Sequence, residues 1–496
     1  MHRSAKLTRR HVLGGIALLL PAALSLAACG SGASAPATTA STAAAQSAAA
    51  SASAPASSAA AASATSASQA AQQAPAGPGV ELVESSWATD TYGLSREQAR
   101  VDLFKKTYPT SPVTVKLRNI GQNYNQQILT QLAGGVGPDV FRLGWADVFP
   151  FKEQGAIPAL DDRFGRMGKD NWLAGTDVKK DIFDGARYQG KLYGVPMGGD
   201  MSNVQINKSL FKAPGVKAPP LTYDDSLWSF DDLLQAATSL TKRAGDGTPL
   251  QFGLQSSSTF GGSGNPFSIV ESWGGQTLSD DWSKFLWGQQ PGPSAFDWIA
   301  DLVRKYKVAA SQAESAAGAF SYNNGKLAMM PSYVSQLSYH TEDVKDKFDW
   351  DQAPFPKQGT NPVRVMFWYS AWVMNAHGKH LDESFQLLQF VSGPIGTTPG
   401  VQLGWELPLF KSLDSKYNST LVGLGKNIKP ALDGFNHRIQ RHYYHQPRWS
   451  EAWTKFISPA LDKIFAGKES GTQALNEITP QVNTLLQEGA KLMGTA

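Results

Sequence analysis

Apolar and polar residues alternate from Val80 to Trp87, the two-residue period of a strand with one buried face. Ser95-x-x-Gln98 then has capping-box spacing and predicts a helix through Tyr108, with Leu103 and Phe104 on its apolar side and Pro109 as its stop. Val113 to Leu117 reads as a second strand. Tyr124 to Leu132 reads as a helix closed by Gly134-Gly135, and Gly137-Pro138-Asp139 turns into a strand at Val140-Phe141. Strands alternating with helices predict a parallel sheet. Two of these strands run out into polar residues, Ala88-Thr89-Asp90 and Arg118 to Tyr124, and open α/β sheets bind their ligands at such carboxyl ends.

The stretch from Gly190 to Phe211 breaks that rhythm. A short strand, Leu192 to Val195, meets Pro196, which lacks a donor and predicts a strand end or a sheet edge. Gly198-Gly199-Asp200 supplies a pliable backbone with a carboxylate on it, and Val204 to Ile206 resumes as a strand before Asn207-Lys208. Strand, flexible crossing and strand predict a chain passing between two lobes. Beyond it, Ser229-x-x-Asp232 caps a helix carrying Leu233, Leu234, Ala237 and Leu240. Phe252 to Leu254 is a short strand, and Phe296 to Tyr306 and Asp382 to Val391 are helices.

The first 78 residues follow another logic. Arg3, Lys6, Arg9 and Arg10 precede an apolar run, Val12 to Leu20, then small residues, which is the layout of a signal peptide over 1–28. Leu26-Ala27-Ala28-Cys29-Gly30 resembles a bacterial lipobox, implying cleavage before Cys29 and a lipid anchor on its thiol. Thr8-Arg9-Arg10 resembles a twin-arginine export signal. Residues 29–78 are almost wholly Ala, Ser, Thr, Gln and Pro, too polar and interrupted to build a core. They read as a disordered tether reaching roughly 40 Å.

Composition narrows the function. Cys29 is the single cysteine of 496 residues, which excludes a disulfide framework and a cysteine zinc site in the body. A net charge of +4 with no basic stripe argues against nucleic acid. The 14 tryptophans exceed what a core of this size calls for, and flat rings suit the apolar faces of sugars.

Several ordered motifs resemble the extracellular solute-binding proteins of carbohydrate ABC importers, of the maltose-binding type. They are Gly190-x-Leu-Tyr-Gly-Val-Pro196 followed by Asn207-Lys-x-Leu-Phe211, Gly135-x-Gly-Pro-Asp-Val140, Gly155 to Asp161, Phe267 to Gly275, and Phe320 to Ser332. The likeness runs from about residue 80 to the end. It implies an α/β, two-lobed periplasmic-binding-protein type II fold with parallel-rich sheets and three hinge crossings. The first crossing lies at Gly190–Phe211, the second at 348–356 and the third at 404–408. First-lobe residues are then 79–198, second-lobe residues 199–350, a return to the first lobe 351–405, and a helical part of the second lobe 406–496.

On this reading the cleft residues are Trp87, Asp90, Asn123, Trp145, Asp147, Asp200, Trp273, Tyr333, Trp368 and Trp405. Aromatics supply stacking faces and carboxylates take paired hydroxyls. Asp200 leads the set, because the resemblance places a carboxylate there against the sugar. Bulky Trp368 and Trp372 are expected to narrow the cleft. His437, His442 and His445 lie among Arg438, Arg441 and Arg448 with no ligand spacing, so they predict a solvated face or a cleft rim and no metal site. The alternative within the same fold is a non-sugar solute, an oligopeptide, a polyamine or a polyol phosphate, and Arg118, Arg142 and Arg364 are too dispersed in sequence to require an anionic one. No serine-hydrolase, zinc-protease or phosphate-loop motif occurs, so a secreted glycoside hydrolase is the distant enzyme alternative. No cofactor is expected. The partners implied are a carbohydrate, the membrane through Cys29, and ABC permease subunits, with the protein a monomer.

Overall fold

β4 (Val195–Asn207) is the strand from which the architecture is built. In the computed structural model, which describes residues 79–223, 228–255, 265–311, 313–314, 318–427, 429–439 and 443–494, it runs unbroken for 13 residues. The signal peptide, Cys29, the tether, Arg441 and His442 lie outside the described residues.

Two half-sheets meet on β4. On one side lie β1 (Val80–Ser85), β2 (Val113–Leu117), β3 (Val140–Gly144) and β9 (Phe367–Met374), ordered β2-β1-β3-β9-β4. On the other lie β5 (Lys242–Arg243), β6 (Pro249–Leu254), β7 (Leu327–Tyr333) and β8 (Trp350–Ala353), with β4-β7-β6-β5 in a row and β8 on β4. The first part of β4 pairs with β9 from Val195 to Met201, and the last part pairs with β7 and β8 from Ser202 onward. A strand that changes partners midway belongs to both halves.

Pro196 therefore does not end the strand. It sits opposite Ala371 in the stretch that pairs with β9 alone, so the missing N–H takes a donor from no second ladder. The irregularity falls between Met197 and Gly199, where the register shifts as in a bulge. A Cβ on Gly199 would lie 2.3 Å from the Phe367 ring, so glycine is needed there for close strand approach. The described pairs are mixed, not parallel-rich. β1–β2, β1–β3 and β6–β7 are parallel, and the pairs made by β9, by β8 and by β4 with β7 are antiparallel, as is β5–β6.

The second crossing also moves. Asp351 to Ala353 pair with the far half of β4, and the chain rejoins the first half only at β9. Leu407 then makes two backbone hydrogen bonds with Gly199, of 3.0 and 2.8 Å, so the Gly404 to Pro408 segment lies directly against β4.

Helix α1 (Thr91–Thr107) starts five residues before the Ser95 box predicts. Asp90 caps it, its Oδ1 accepting from Gly93 N–H at 2.9 Å, and Ser95 lies inside the first turns. The capping box at Ser229 and Asp232 is present as read, opening the helix Phe230–Leu240. The C-terminal helices Ser458–Phe465 and Gly471–Met493 pack on the helix Gly292–Arg304. Trp287, Trp350 and Trp372 are wholly buried core, so of the two bulky β9 tryptophans only Trp368 can narrow a cleft. Among the described residues no helix is long and apolar enough to cross a membrane.

Candidate functional site

Where β4 changes partners, a cavity of about 480 Å³ opens against it. Its floor is Gly198, Gly199 and Asp200 on β4, with Trp368, Tyr369 and Ser370 on β9. One wall comes from Trp87 at the end of β1, Arg142 on β3, and Trp145 at the start of α3 (Trp145–Glu153). The opposite wall is Phe267, Ser335, Tyr443, Trp449, Ser450 and Trp453, and Trp405 closes a side from the third crossing. Six tryptophans and three further aromatics thus surround one space.

The C-terminal segment contributes more than its sequence suggested. Tyr443 stacks on Phe267 with ring centroids 3.5 Å apart and planes within 3°. Trp449 and Trp453 are four residues apart, a spacing that sets both on one helical face. Trp453 begins a short π-helical turn, Trp453–Ile457, a geometry common at binding sites. His445 contacts Tyr369 Oη at 3.0 Å and lies beside the Trp145 ring, behind two lining residues but not itself lining the cavity, while His437 stacks on Tyr223. Among the described residues no cluster of histidine, cysteine and acidic groups could hold a metal.

Asp200 is held by three donors. Ser335 donates from Oγ to Oδ2 at 2.6 Å and from N–H to Oδ1 at 3.0 Å, and Met201 N–H reaches Oδ1 at 2.9 Å. Enclosure lifts the carboxyl to about 6, against the pull of these donors and of Arg142.

Behind Trp87 and Trp405 lies a buried charge cluster. Glu97 Oε1 accepts from Arg96 Nη2 at 2.6 Å and Oε2 from Arg100 Nη1 at 2.7 Å, while Glu406 accepts from Arg100 Nη2. Burial opposes ionisation of Glu97, but Arg100 and Arg96 overcome it and hold the group near 2. Burial, with Glu97 close by, pushes Glu84 up to about 8. Arg96 lies over the Trp405 ring with its Cζ 3.5 Å from the centroid, and Arg142 sits 4.3 Å from the Trp87 ring centroid and 4.9 Å from that of Trp405.

Of the ten residues read from sequence, Trp87, Trp145, Asp200, Trp368 and Trp405 converge on this cavity. Tyr333 stands edge-on to Trp368 at 4.6 Å, behind the wall. Asp147 follows Trp145 in α3 and accepts from Ser450 Oγ at 3.1 Å, next to the cavity but not lining it. Asp90 is spent as the α1 cap and meets Tyr339 Oη at 3.4 Å. Asn123 is exposed before the helix α2 (Tyr124–Ala133), and Trp273 packs against Phe230 and Trp298 away from the cavity. From the Phe267 to Gly275 segment the cavity takes Phe267 in its place.

A shared strand, three adjacent crossings and an aromatic cavity at their meeting point define a bilobed solute-binding protein. Residues 85–398 match the family described as bacterial extracellular solute-binding protein, and the chain belongs to that family. Solute binding of this kind is a non-enzymatic role. A putative binding protein of Brucella abortus is 23% identical over 378 residues, 73% of this chain and 83% of the relative. The fold is also that of an ABC substrate-binding protein from Listeria monocytogenes solved with cycloalternan, with a TM-score of 0.68 and 20% identity over 82% of this chain and 98% of that one. The maltose/maltodextrin-binding domain of Bdellovibrio bacteriovorus, bound to maltotriose, gives a TM-score of 0.65 and 16% identity over 83% and 99% of the two chains.

Proposed function

We propose that the chain captures a sugar or oligosaccharide in the cavity along β4 and delivers it to an ABC permease. The observation that carries this reading is the wall of six tryptophans around a space of about 480 Å³, since rings of this kind stack on sugar faces. The carbohydrates bound by the Listeria and Bdellovibrio proteins support it. Binding works by population shift: a ligand touching both walls favours the closed arrangement, which the permease then receives. Asp200 orients ligand hydroxyls from the floor. Cys29, exported behind the signal peptide and lipidated, anchors the chain outside the cell membrane, with residues 30–78 as its leash.

A thermal-shift screen against mono- and oligosaccharides tests the reading. A ligand at a hundred times its dissociation constant stabilises the fold by about 2.7 kcal/mol. Recovery of the bound sugar intact is the expected result. A shift with peptides or polyamines and with no sugar would discard the ligand class and keep the fold.

A further inference from the structure

We infer that the solute carries an oxyanion, a carboxylate or a phosphate ester on its polyhydroxy frame, and that Arg142 selects for it. This rests on the cavity being the ligand site. The reason is an unbalanced charge. Arg96, Arg100 and Arg142 lie in one buried patch with exposures of 2%, 0% and 4%. The carboxylates of Glu97 and Glu406 make their ion pairs with the other two arginines, and of their oxygens only Glu406 Oε2 is left without a hydrogen-bond partner. Glu97 bonds Arg96 and Arg100, and Glu406 bonds Arg100 and lies 4.0 Å from Arg96. Glu84 keeps its proton near neutrality and adds no charge.

Arg142 is left over. Among the described residues no carboxylate lies within ion-pair distance of it, and its Nε and Nη1 have no hydrogen-bond partner. Only Nη2 is engaged, donating to Ser370 Oγ at 2.7 Å. The rings of Trp87 and Trp405 stabilise the cation through their faces but take none of its in-plane N–H groups. Asp200, the other charged side chain of the cavity, makes no ion pair with Arg142; its oxygens accept from Ser335 and Met201 and keep one lone-pair site for ligand hydroxyls. A buried cation without a counter-ion is costly, and a sugar hydroxyl accepts a hydrogen bond without cancelling charge. Arg142 and Ser370 both line the cavity, so an oxyanion placed beside Ser370 brings a negative charge next to the guanidinium.

Titration calorimetry on the full chain tests this with glucose, glucuronate and glucose 6-phosphate, the two acids separating carboxylate from phosphate. At least one acid should bind about tenfold or more tightly than glucose. Arg142→Gln should erase that difference, and Arg142→Lys should keep part of it. Without ligand, Arg142→Gln should melt higher than the wild type, because it removes an uncompensated buried charge. Glucose binding as tightly as both acids overturns the inference and leaves the cavity reading standing. Acid preference that persists in Arg142→Gln also overturns it. Acid binding untouched by both Arg142→Gln and Trp453→Ala lies outside the cavity and removes the cavity reading as well. Where no probe binds, the unliganded proteins decide. A melting temperature for Arg142→Gln below that of Arg142→Lys, which keeps the charge but loses the same packing, means the charge is already paired in the free chain, and the inference fails.

Discussion

Ser335 holds Asp200 by two hydrogen bonds, Oγ to Oδ2 at 2.6 Å and N–H to Oδ1 at 3.0 Å. The pair fixes the end of β7 to the strand that both half-sheets share, on the floor of the cavity. A carboxylate committed in this way is a structural tie that still keeps one lone-pair site open towards the cavity.

Asp200→Ala should therefore show two losses. Sugar affinity should fall by about 1.5–3 kcal/mol, the worth of a charged hydrogen bond. Stability should fall by about 1–3 kcal/mol as Ser335 loses its acceptor. Calorimetry and urea unfolding measure them separately, and unchanged affinity with reduced stability would leave Asp200 only the structural role.

Trp453→Ala should cost more in binding than in folding. Trp453 lines the cavity, whereas Trp287 is fully buried core and its replacement by alanine should destabilise by about 3–5 kcal/mol. Trp273→Ala, away from the cavity, should leave affinity unchanged. Comparable affinity losses for Trp273 and Trp453 would move the site.

Glu406→Gln should destabilise by about 3–5 kcal/mol, since it removes one partner of a buried ion cluster. Glu406 also fills the space beside Gly198, where an added Cβ would lie 2.4 Å from Glu406 Cγ. Gly198→Ala should thus disturb the crossing itself, and its effect on affinity should exceed that of an alanine placed at exposed Gly155.

Stability should decline between about pH 6.5 and 8. Burial raises Glu84 to about 8 and Glu271 to about 7 from 4.5, so the folded state binds these protons more tightly than the unfolded chain. That stabilisation is complete below the unfolded value and disappears as pH rises through the folded one. Asp200, at about 6, loses most of its share below this window. His340 works in the opposite direction, but only between its folded value of about 4 and its ordinary 6.5. Glu84→Gln should flatten the slope in melting curves taken across the window, and an equally steep slope would assign the effect elsewhere.

Much of the scaffold was legible in the chain because its signals are local. The alternation from Val80, the Ser229–Asp232 box and the helix at Tyr124 need only neighbours a few residues away, and the structure holds all three. Trp87, Trp145, Asp200, Trp368 and Trp405 could be chosen because they stand at strand ends or on the crossings, where an α/β fold gathers its ligands. The start of α1 was misplaced because Asp90 and Ser95 are both competent caps, and nearby packing selects between them.

What the tertiary structure alone decided is pairing at long range. Pro196 reads as a stop until β9 is seen to be its only ladder partner. Phe267 rather than Trp273 faces the cavity because Tyr443, some 170 residues further on, stacks against it. Arg142 looks isolated between Arg118 and Arg364, yet β3 and α1 bring it beside Arg96 and Arg100. The balance of charge around it depends on Glu406, which arrives with the third crossing. Periodicity and caps are written in consecutive residues, whereas which tryptophan is wall and which is core depends on the element that folds against it.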